Sequence, residues 1–479
     1  MLFNSIEFAI FLPIVFLLYW FVFSKNLKLQ NLFIVVVSYI FYGWWNWRFL
    51  FLIAFTSACS FGAGLLIGKY RGTPSTAKAV NIVNIVINLL VLGVFKYYDF
   101  FVTSFADVFL GGRTDGLLLK AVLPVGISFY TFQALSYSID VYLGKLEPTR
   151  DIIRFFAFVS FFPQLVAGPI ERATSLLPQF ARPRSFDYES SAVGMRQILW
   201  GLFKKMVVAD NCAIYVDQVF QSYTTYSGST LLLAAILFAF QIYGDFSGYS
   251  DIAIGTGKLF GIKLMRNFNV PYFSRDIAEF WRRWHISLTT WFRDYVYIPL
   301  GGSHCTRTKI VRNTFVIFLV SGLWHGANWT FLVWGAYHAL LFLPLILVGK
   351  NRRYRDTVAP GRLFPSFLEC GQMLLTFFLV VLGWVIFRAE SIGQAWDYLK
   401  GVFNVSLLTA PWLHSPTFFI KLMIALTVLL AVEWTGRMKE CPITLARGGK
   451  VGRWSLYLAL FIMIFLFGAT SESFIYFQF

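Results

Sequence analysis

Apolar stretches long enough to cross a bilayer recur along nearly the whole 479-residue chain, and few folds accept such a pattern. A helical crossing needs about 17–25 apolar residues. Candidate segments lie near 6–23, 30–47, 49–68, 79–101, 118–143, 152–168, 230–255, 310–328, 329–348, 370–387, 417–434 and 454–469. Two more, near 191–209 and 276–300, are amphipathic and are expected to lie in the interface or to enter the membrane only partly. Backbone in lipid must satisfy its own hydrogen bonds, which favours helices. The expectation is an all-α, polytopic membrane protein of about 11–14 helices, re-entrant and amphipathic ones included. It is read as a single transmembrane domain over 1–479. Composition agrees: 57% of residues are hydrophobic and 14% charged, against about 25% charged in soluble domains.

The net charge of +17 does not point to nucleic acid, because the basic residues sit in short loops between apolar runs, as topology signals do. They also suit anionic lipids or a phosphate-bearing substrate. Lys25, Lys28, Lys69, Arg71, Lys78, Lys145, Arg150, Arg154, the 351–356 stretch, Arg437, Lys439, Arg447, Lys450 and Arg453 suit the cytoplasm. The N-terminus, the 388–416 loop and the C-terminal SFIYFQF are poorer in basic residues and are expected outside. Between 169 and 310 the alternation fails, with Arg282, Arg283 and Arg293 out of place, so broken or tilted elements, and the site, are expected there. The five cysteines show no C-x-x-C and no zinc spacing, so no disulfide is expected. The N-terminal apolar run has no basic leader, and it is read as a retained first helix.

Chemistry-bearing residues are few. In FFPQLVAGPIERA (161–173), Pro163, Gly168 and Pro169 interrupt an apolar run, and Glu171 and Arg172 form a possible local pair. In FQIYGDFSGYSDIAIGTGKLFG (240–261), Asp245 and Asp251 lie in a glycine-rich spanning segment. A carboxylate at membrane depth costs about 2.5–3.5 kcal/mol on insertion scales. Asp245 should therefore have a partner, with Arg282, Arg283 or a histidine as candidates. Its role is either a structural ion pair or the orientation of a catalytic group. In 274–302, a continuous helical wheel puts Trp281, Trp284, Leu288, Trp291 and Tyr295 on one stripe, Arg282, Thr289 and Arg293 on another, and His285 on their border. Such a position favours a neutral imidazole able to act as base or hydrogen-bond partner. In SGLWHGANW (321–329), Gly322 and Gly326 leave a bare face for a neighbouring helix. His325 adjoins it, Asn328 is three residues on, and Trp324 and Trp329 exclude water. An ionisable residue within a span is a functional candidate by default. His338 is read as packing, and His304 and His414 as solvated loop residues. No H-x₃₋₅-H pair exists, so no metal is expected.

The stretches FPQLVAGPIER, IYGDFSGYSDIAIG, EFWRRWHISLTTWFRDYVYIPLGG, SGLWHGANW and the terminal FIYFQF together resemble the membrane-bound O-acyltransferase family, above all its bacterial alginate O-acetylation branch. They do so in order from first helix to last residue. On that resemblance His325 corresponds to the family's invariant histidine, His285 to a second histidine, and Asp245 to Tyr249 to its D-F-S-G-Y motif. The resemblance implies a ring of helices around a central funnel and a multi-pass protein of the bacterial inner membrane. It implies acyl transfer from a cytosolic donor such as acetyl-CoA to a hydroxyl presented outside, often on a partner protein that acetylates a polysaccharide such as alginate. No permanently bound cofactor is implied. Within that scheme His325 is the expected general base, and His285 binds or polarises the thioester carbonyl or assists proton transfer. Asn328 orients His325, Trp324 lines the passage, and Asp245, Arg282, Arg283 and Trp284 support the site. The alternatives are a family member acting on peptidoglycan, teichoic acid or lipid, a transporter of a lipid-linked saccharide using His325 and Asp245 as a proton relay, and a scaffold indifferent to both histidines.

Overall fold

The computed structural model describes all residues except 115, 167, 445–448, 470–473 and 475–479. The loop cation Arg447 and, Phe474 apart, the SFIYFQF terminus lie outside the described residues. Among the described residues the elements are helical and no strand occurs. Seven helices are long and apolar enough to cross a membrane: Trp47–Lys69, Pro74–Phe109, Gly228–Leu259, Trp329–Leu347, Phe367–Arg388, Pro416–Gly436 and Gly449–Phe467. The protein is a multi-pass membrane protein. Ile6–Val22 and Leu27–Gly43 are shorter apolar helices.

Two expected segments change shape. Over 118–143 the helix begins only at Ile127, after Pro124 and Gly126, whose φ of +73° sets a left-handed turn. The preceding backbone is anchored by Asp99, whose carboxylate accepts from Leu119 N at 2.8 Å and Lys120 N at 3.0 Å. Over 152–168 the helix Ile152–Ser160 ends, and Pro163 lies in the first turn of a new short helix, Phe162–Leu165. That first turn lacks intrahelical partners, so proline's missing N–H costs nothing there. Phe162 N donates instead to Ser38 Oγ at 3.0 Å.

The chain divides into two compact units. The first comprises Met1–Met195 with Ile252–Met265. Side-chain oxygens of Ser5, Asn26 and Asp151 cap its helices, accepting from the orphan N–H groups of each first turn. A polar ladder runs through its apolar helices: Asn84 Nδ2 donates to Ser138 Oγ at 2.9 Å, Ser60 Oγ to Asn84 Oδ1 at 3.4 Å, and Asn88 Nδ2 to Asn84 Oδ1 at 3.0 Å. Such bonds join helices where lipid gives no hydrophobic driving force.

Glu171 belongs to the same unit, and besides the charge of neighbouring Arg172 it has a second, more distant partner. Its carboxylate accepts from Met265 N at 2.5 Å. Burial pushes this carboxyl up to about 7, the Met265 bond and Arg172 opposing the shift. The folded state thus holds the proton to higher pH than the unfolded chain, so stability falls as pH rises from 4.5 through about 7. Glu171→Gln is expected to flatten that fall. Thermal melts in detergent across the window test it, and an unchanged slope would reject it.

The second unit comprises Arg196–Asp251 and Arg266–Phe479. Its most tightly packed feature is the hairpin of Arg307–His325 and Trp329–Leu347, joined by only three residues. Glycine permits the close approach. A Cβ at Gly322 would collide with the Phe331 carbonyl oxygen, one at Gly326 with the Phe331 ring, and one at Gly335 would lie 2.5 Å from the Phe318 carbonyl oxygen. Gly322→Val should therefore destabilise the protein by about 1–3 kcal/mol through overpacking. By contrast, a Cβ at Gly62, inside Leu50–Lys69, meets nothing within 4 Å. Gly62→Ala should stabilise by about 0.5–1 kcal/mol. Opposite shifts in melting temperature are the expected readout, and equal shifts would contradict this account.

Candidate active site

The tract read as one amphipathic helix is broken. Helix Ile277–Arg283 stops at Trp284, and helix Ile286–Phe292 starts after His285, which is left-handed at φ +44°, ψ +54°. The wheel's single aromatic stripe therefore does not exist. The segment 267–269 explains how the break is tolerated: Asn269 N donates to Arg283 O at 2.9 Å, and Ile286 N donates to Asn267 O at 2.8 Å. The backbone groups freed by the break are thus satisfied on both sides. A non-glycine residue in this region costs of order 1–3 kcal/mol and persists where its surroundings hold it.

The break turns the His285 ring into the interior of the unit, 1% exposed. His325, the last residue of helix Arg307–His325, is 3% exposed. The two imidazole centroids lie 6.4 Å apart with their planes at 60°. Trp324 touches both rings, at 5.1 Å from His325 and 5.8 Å from His285. Trp334 at 5.2 Å and Phe387 at 5.5 Å complete the wall around His325, and Phe246 at 4.6 Å closes on His285. Two histidines separated by forty residues thus meet among aromatic side chains. Close aromatic walls exclude water, which strengthens any hydrogen bond or charge formed between them.

The remaining predicted residues have other partners. Asn328 does not hold the His325 ring; it caps helix Trp329–Leu347, its Oδ1 accepting from Thr330 N at 3.0 Å and its amide donating to Glu390 O at 2.9 Å. At the start of a helix an asparagine oxygen meets orphan N–H groups, and that capping role wins. Arg282 donates to the carbonyl oxygens of Asn351 at 2.5 Å and Tyr354 at 2.6 Å. Arg283 donates to Glu279 at 2.7 Å and to Asp356 O at 3.1 Å. Both therefore fasten the 351–356 stretch and pair with neither Asp245 nor a histidine. Trp284 is wholly buried, 4.9 Å from Trp384 and 5.0 Å from Phe268, and so forms the packing behind the site. His338 is also wholly buried, against Trp281 and Trp334, as the packing expectation had it.

Asp245 is in an ion pair, but with a lysine. Lys205 Nζ lies 2.8 Å from Asp245 and 2.8 Å from Asp210, all three side chains being at most 4% exposed. Lys204 Nζ lies 2.5 Å from Asp251. The two lysines sit in a widened helical stretch, Phe203–Ala209. Gly244 and Gly248 let that stretch approach, since Cβ atoms there would lie 2.9 Å from Lys204 O and 2.8 Å from Gly201 O. In the sequence these lysines fall in an amphipathic segment with no motif of its own, which is why they escaped notice.

Asn267 was missed as well. It lies in an irregular stretch with no periodicity to mark it, yet its Oδ1 is 3.1 Å from His285 Nδ1. It is wholly buried.

The fold and the enclosed histidine pair define the class: a multi-pass helical membrane protein with two buried imidazoles close together inside one unit. Residues 148–367, which include both histidines, match the family model described as MBOAT, membrane-bound O-acyltransferase family. The chain is 41% identical to a probable alginate O-acetylase AlgI of Pseudomonas aeruginosa, over 84% of this chain and 75% of that relative. It is 40% identical to the probable alginate O-acetylase AlgI of Azotobacter vinelandii, over 84% of this chain and 78% of that one. It is 35% identical to a peptidoglycan O-acetyltransferase of Helicobacter pylori, over 85% and 80% respectively. The chain belongs to the membrane-bound O-acyltransferase family, and it is an O-acyltransferase. With that, the transporter and scaffold readings are set aside.

Proposed function

We propose that this protein moves an acetyl group from a cytosolic donor of the acetyl-CoA type, across the bacterial inner membrane, to a hydroxyl on an extracytoplasmic acceptor or partner protein. Its end would be the O-acetylation of a cell-surface polysaccharide such as alginate. The observation that carries this reading is the His285–His325 pair, two buried imidazoles 6.4 Å apart in an aromatic enclosure. An imidazole is the side chain best suited to carry a proton between a hydroxyl and a leaving group near neutral pH. In the proposed step His325 takes the acceptor's hydroxyl proton. The oxygen attacks the thioester carbonyl, the C–O bond forms, the C–S bond breaks, and the proton leaves with the thiolate. His285 binds or polarises the carbonyl, or assists the proton transfer. Basic loops on the inner side would draw in the polyanionic donor, and both termini would lie outside.

The similarity to AlgI proteins favours alginate as acceptor, and the match to the H. pylori protein over an equal share of the chain keeps peptidoglycan as the second reading. The test uses proteoliposomes with labelled acetyl-CoA sealed inside, supplied outside with extracytoplasmic extract and either deacetylated alginate or peptidoglycan. Label on alginate alone is the expected result. Label on peptidoglycan alone would move the assignment to the second reading, and no label on either would reject the proposal.

A further inference from the structure

We infer that Asn267 is a positioning residue that fixes the tautomer of His285, and thereby makes this histidine a proton acceptor rather than a donor to the thioester carbonyl. The inference rests on the proposed role of the histidine pair and decides between the two tasks left open for His285.

The argument starts from one oxygen. Asn267 Oδ1 lies 3.3 Å from the backbone N of Ser287, 2.9 Å from Ser287 Oγ and 3.1 Å from His285 Nδ1. A backbone N–H only donates, so the amide atom facing Ser287 is the oxygen and not the nitrogen. The amide's other end agrees, since Nδ2 donates to Ser250 Oγ at 3.1 Å. An amide oxygen only accepts, and Ser287 Oγ, 3.4 Å from His285 Nδ1, gives its single hydrogen to the nearer Asn267 Oδ1 at 2.9 Å, so His285 Nδ1 carries the hydrogen that reaches that oxygen. In a neutral imidazole the second nitrogen then holds a lone pair. Nε2 can accept a proton or a hydrogen bond, and it cannot donate one to a carbonyl oxygen unless the ring is first protonated.

Three features hold this arrangement rigidly. Asn267 is 0% exposed, so water does not compete for its oxygen. Its own carbonyl accepts from Ile286 N at 2.8 Å, tying its backbone to the residue after His285. The left-handed backbone of His285 then sets where the ring emerges. Sequence spacing of eighteen residues hides a contact that is local in space.

The test compares Asn267→Leu, which keeps the branched outline of the side chain and removes the acceptor, with Asn267→Asp, which keeps the acceptor and adds charge. Turnover is measured on purified protein of matched melting temperature. Asn267→Leu is expected to lower kcat about 10- to 100-fold, the range found when a metal-bound histidine loses the partner that orients it, with KM for the donor nearly unchanged. In a His285→Ala background the same substitution is expected to add no further loss, because its effect passes through that ring. Asn267→Asp should retain activity and move the acid limb of the pH–rate profile upward, since a carboxylate raises the ring's proton affinity. Wild-type kcat in Asn267→Leu, or a full additional loss in the His285→Ala background, would overturn the inference. If His285→Ala itself turns over at the wild-type rate, the histidine-pair reading is what fails. If His285→Ala is impaired while Asn267→Leu is not, only the present inference fails.

Discussion

His325→Ala, purified in detergent and supplied with labelled acetyl-CoA and acceptor, is expected to lose about 10²–10⁴ of its turnover, the range a positioned general base supplies. The ring sits at the end of a helix whose packing is set by Gly322 and Phe331 rather than by the imidazole, so the truncation should leave the hairpin intact. Donor KM should change little, because the imidazole's contribution is to the proton in flight. His325→Gln offers a control for volume, and it too should be inactive, since an amide does not take up a proton near neutral pH. Wild-type turnover in either variant would remove His325 from the mechanism. A loss matched by an equally lowered melting temperature would assign it to packing.

The second large effect concerns stability. Lys205→Met is expected to cost about 3–5 kcal/mol, the usual consequence of taking one partner from a buried ion pair. The methionine fills similar space, but Asp210 and Asp245 lose the ammonium that lies 2.8 Å from each. At 2% and 4% exposure, water does not replace it. The triple variant Lys205→Met/Asp210→Asn/Asp245→Asn should recover much of the loss, because neutral groups no longer demand a counter-charge. Denaturation in mixed micelles reads both. A Lys205→Met protein as stable as wild type would show that the charges are solvated in a way the geometry does not suggest. Asp245 precedes Phe246, whose ring lies 4.6 Å from His285, so loosening this ion pair should also disturb the wall of the site.

Much of this arrangement was legible from residues alone. Apolar length marked all seven spanning helices, because the bilayer imposes a length that composition records, but Pro74–Phe109 runs well past 101, and 118–143 and 152–168 form shorter or broken helices instead. The two histidines stood out because polar groups in apolar surroundings are costly and therefore informative. What escaped was decided by long-range packing. Nothing in the WRRWHIS pattern marks the left-handed residue, since the bonds permitting it come from Asn267 and Asn269. Asn328 and Arg282 looked like site residues because they are polar and close in sequence to the histidines. Backbone groups near them, an open helix end and the carbonyls of 351–356, were the stronger claim on their hydrogen bonds. The lysine partner of Asp245 lay in a separate segment, and no spacing rule connects residues 205 and 245.

The kinked backbone at position 285 also acts as a filter on residue identity. Valine, isoleucine and threonine are branched at the carbon that crowds a left-handed peptide, and the residues that enter this region most readily are glycine, asparagine, aspartate and histidine. All of these but glycine carry a lone pair at the end of a short side chain. Of these, only histidine and aspartate end in a group that can take a proton, so at this turn the backbone preference and the proposed chemistry share just two residue types.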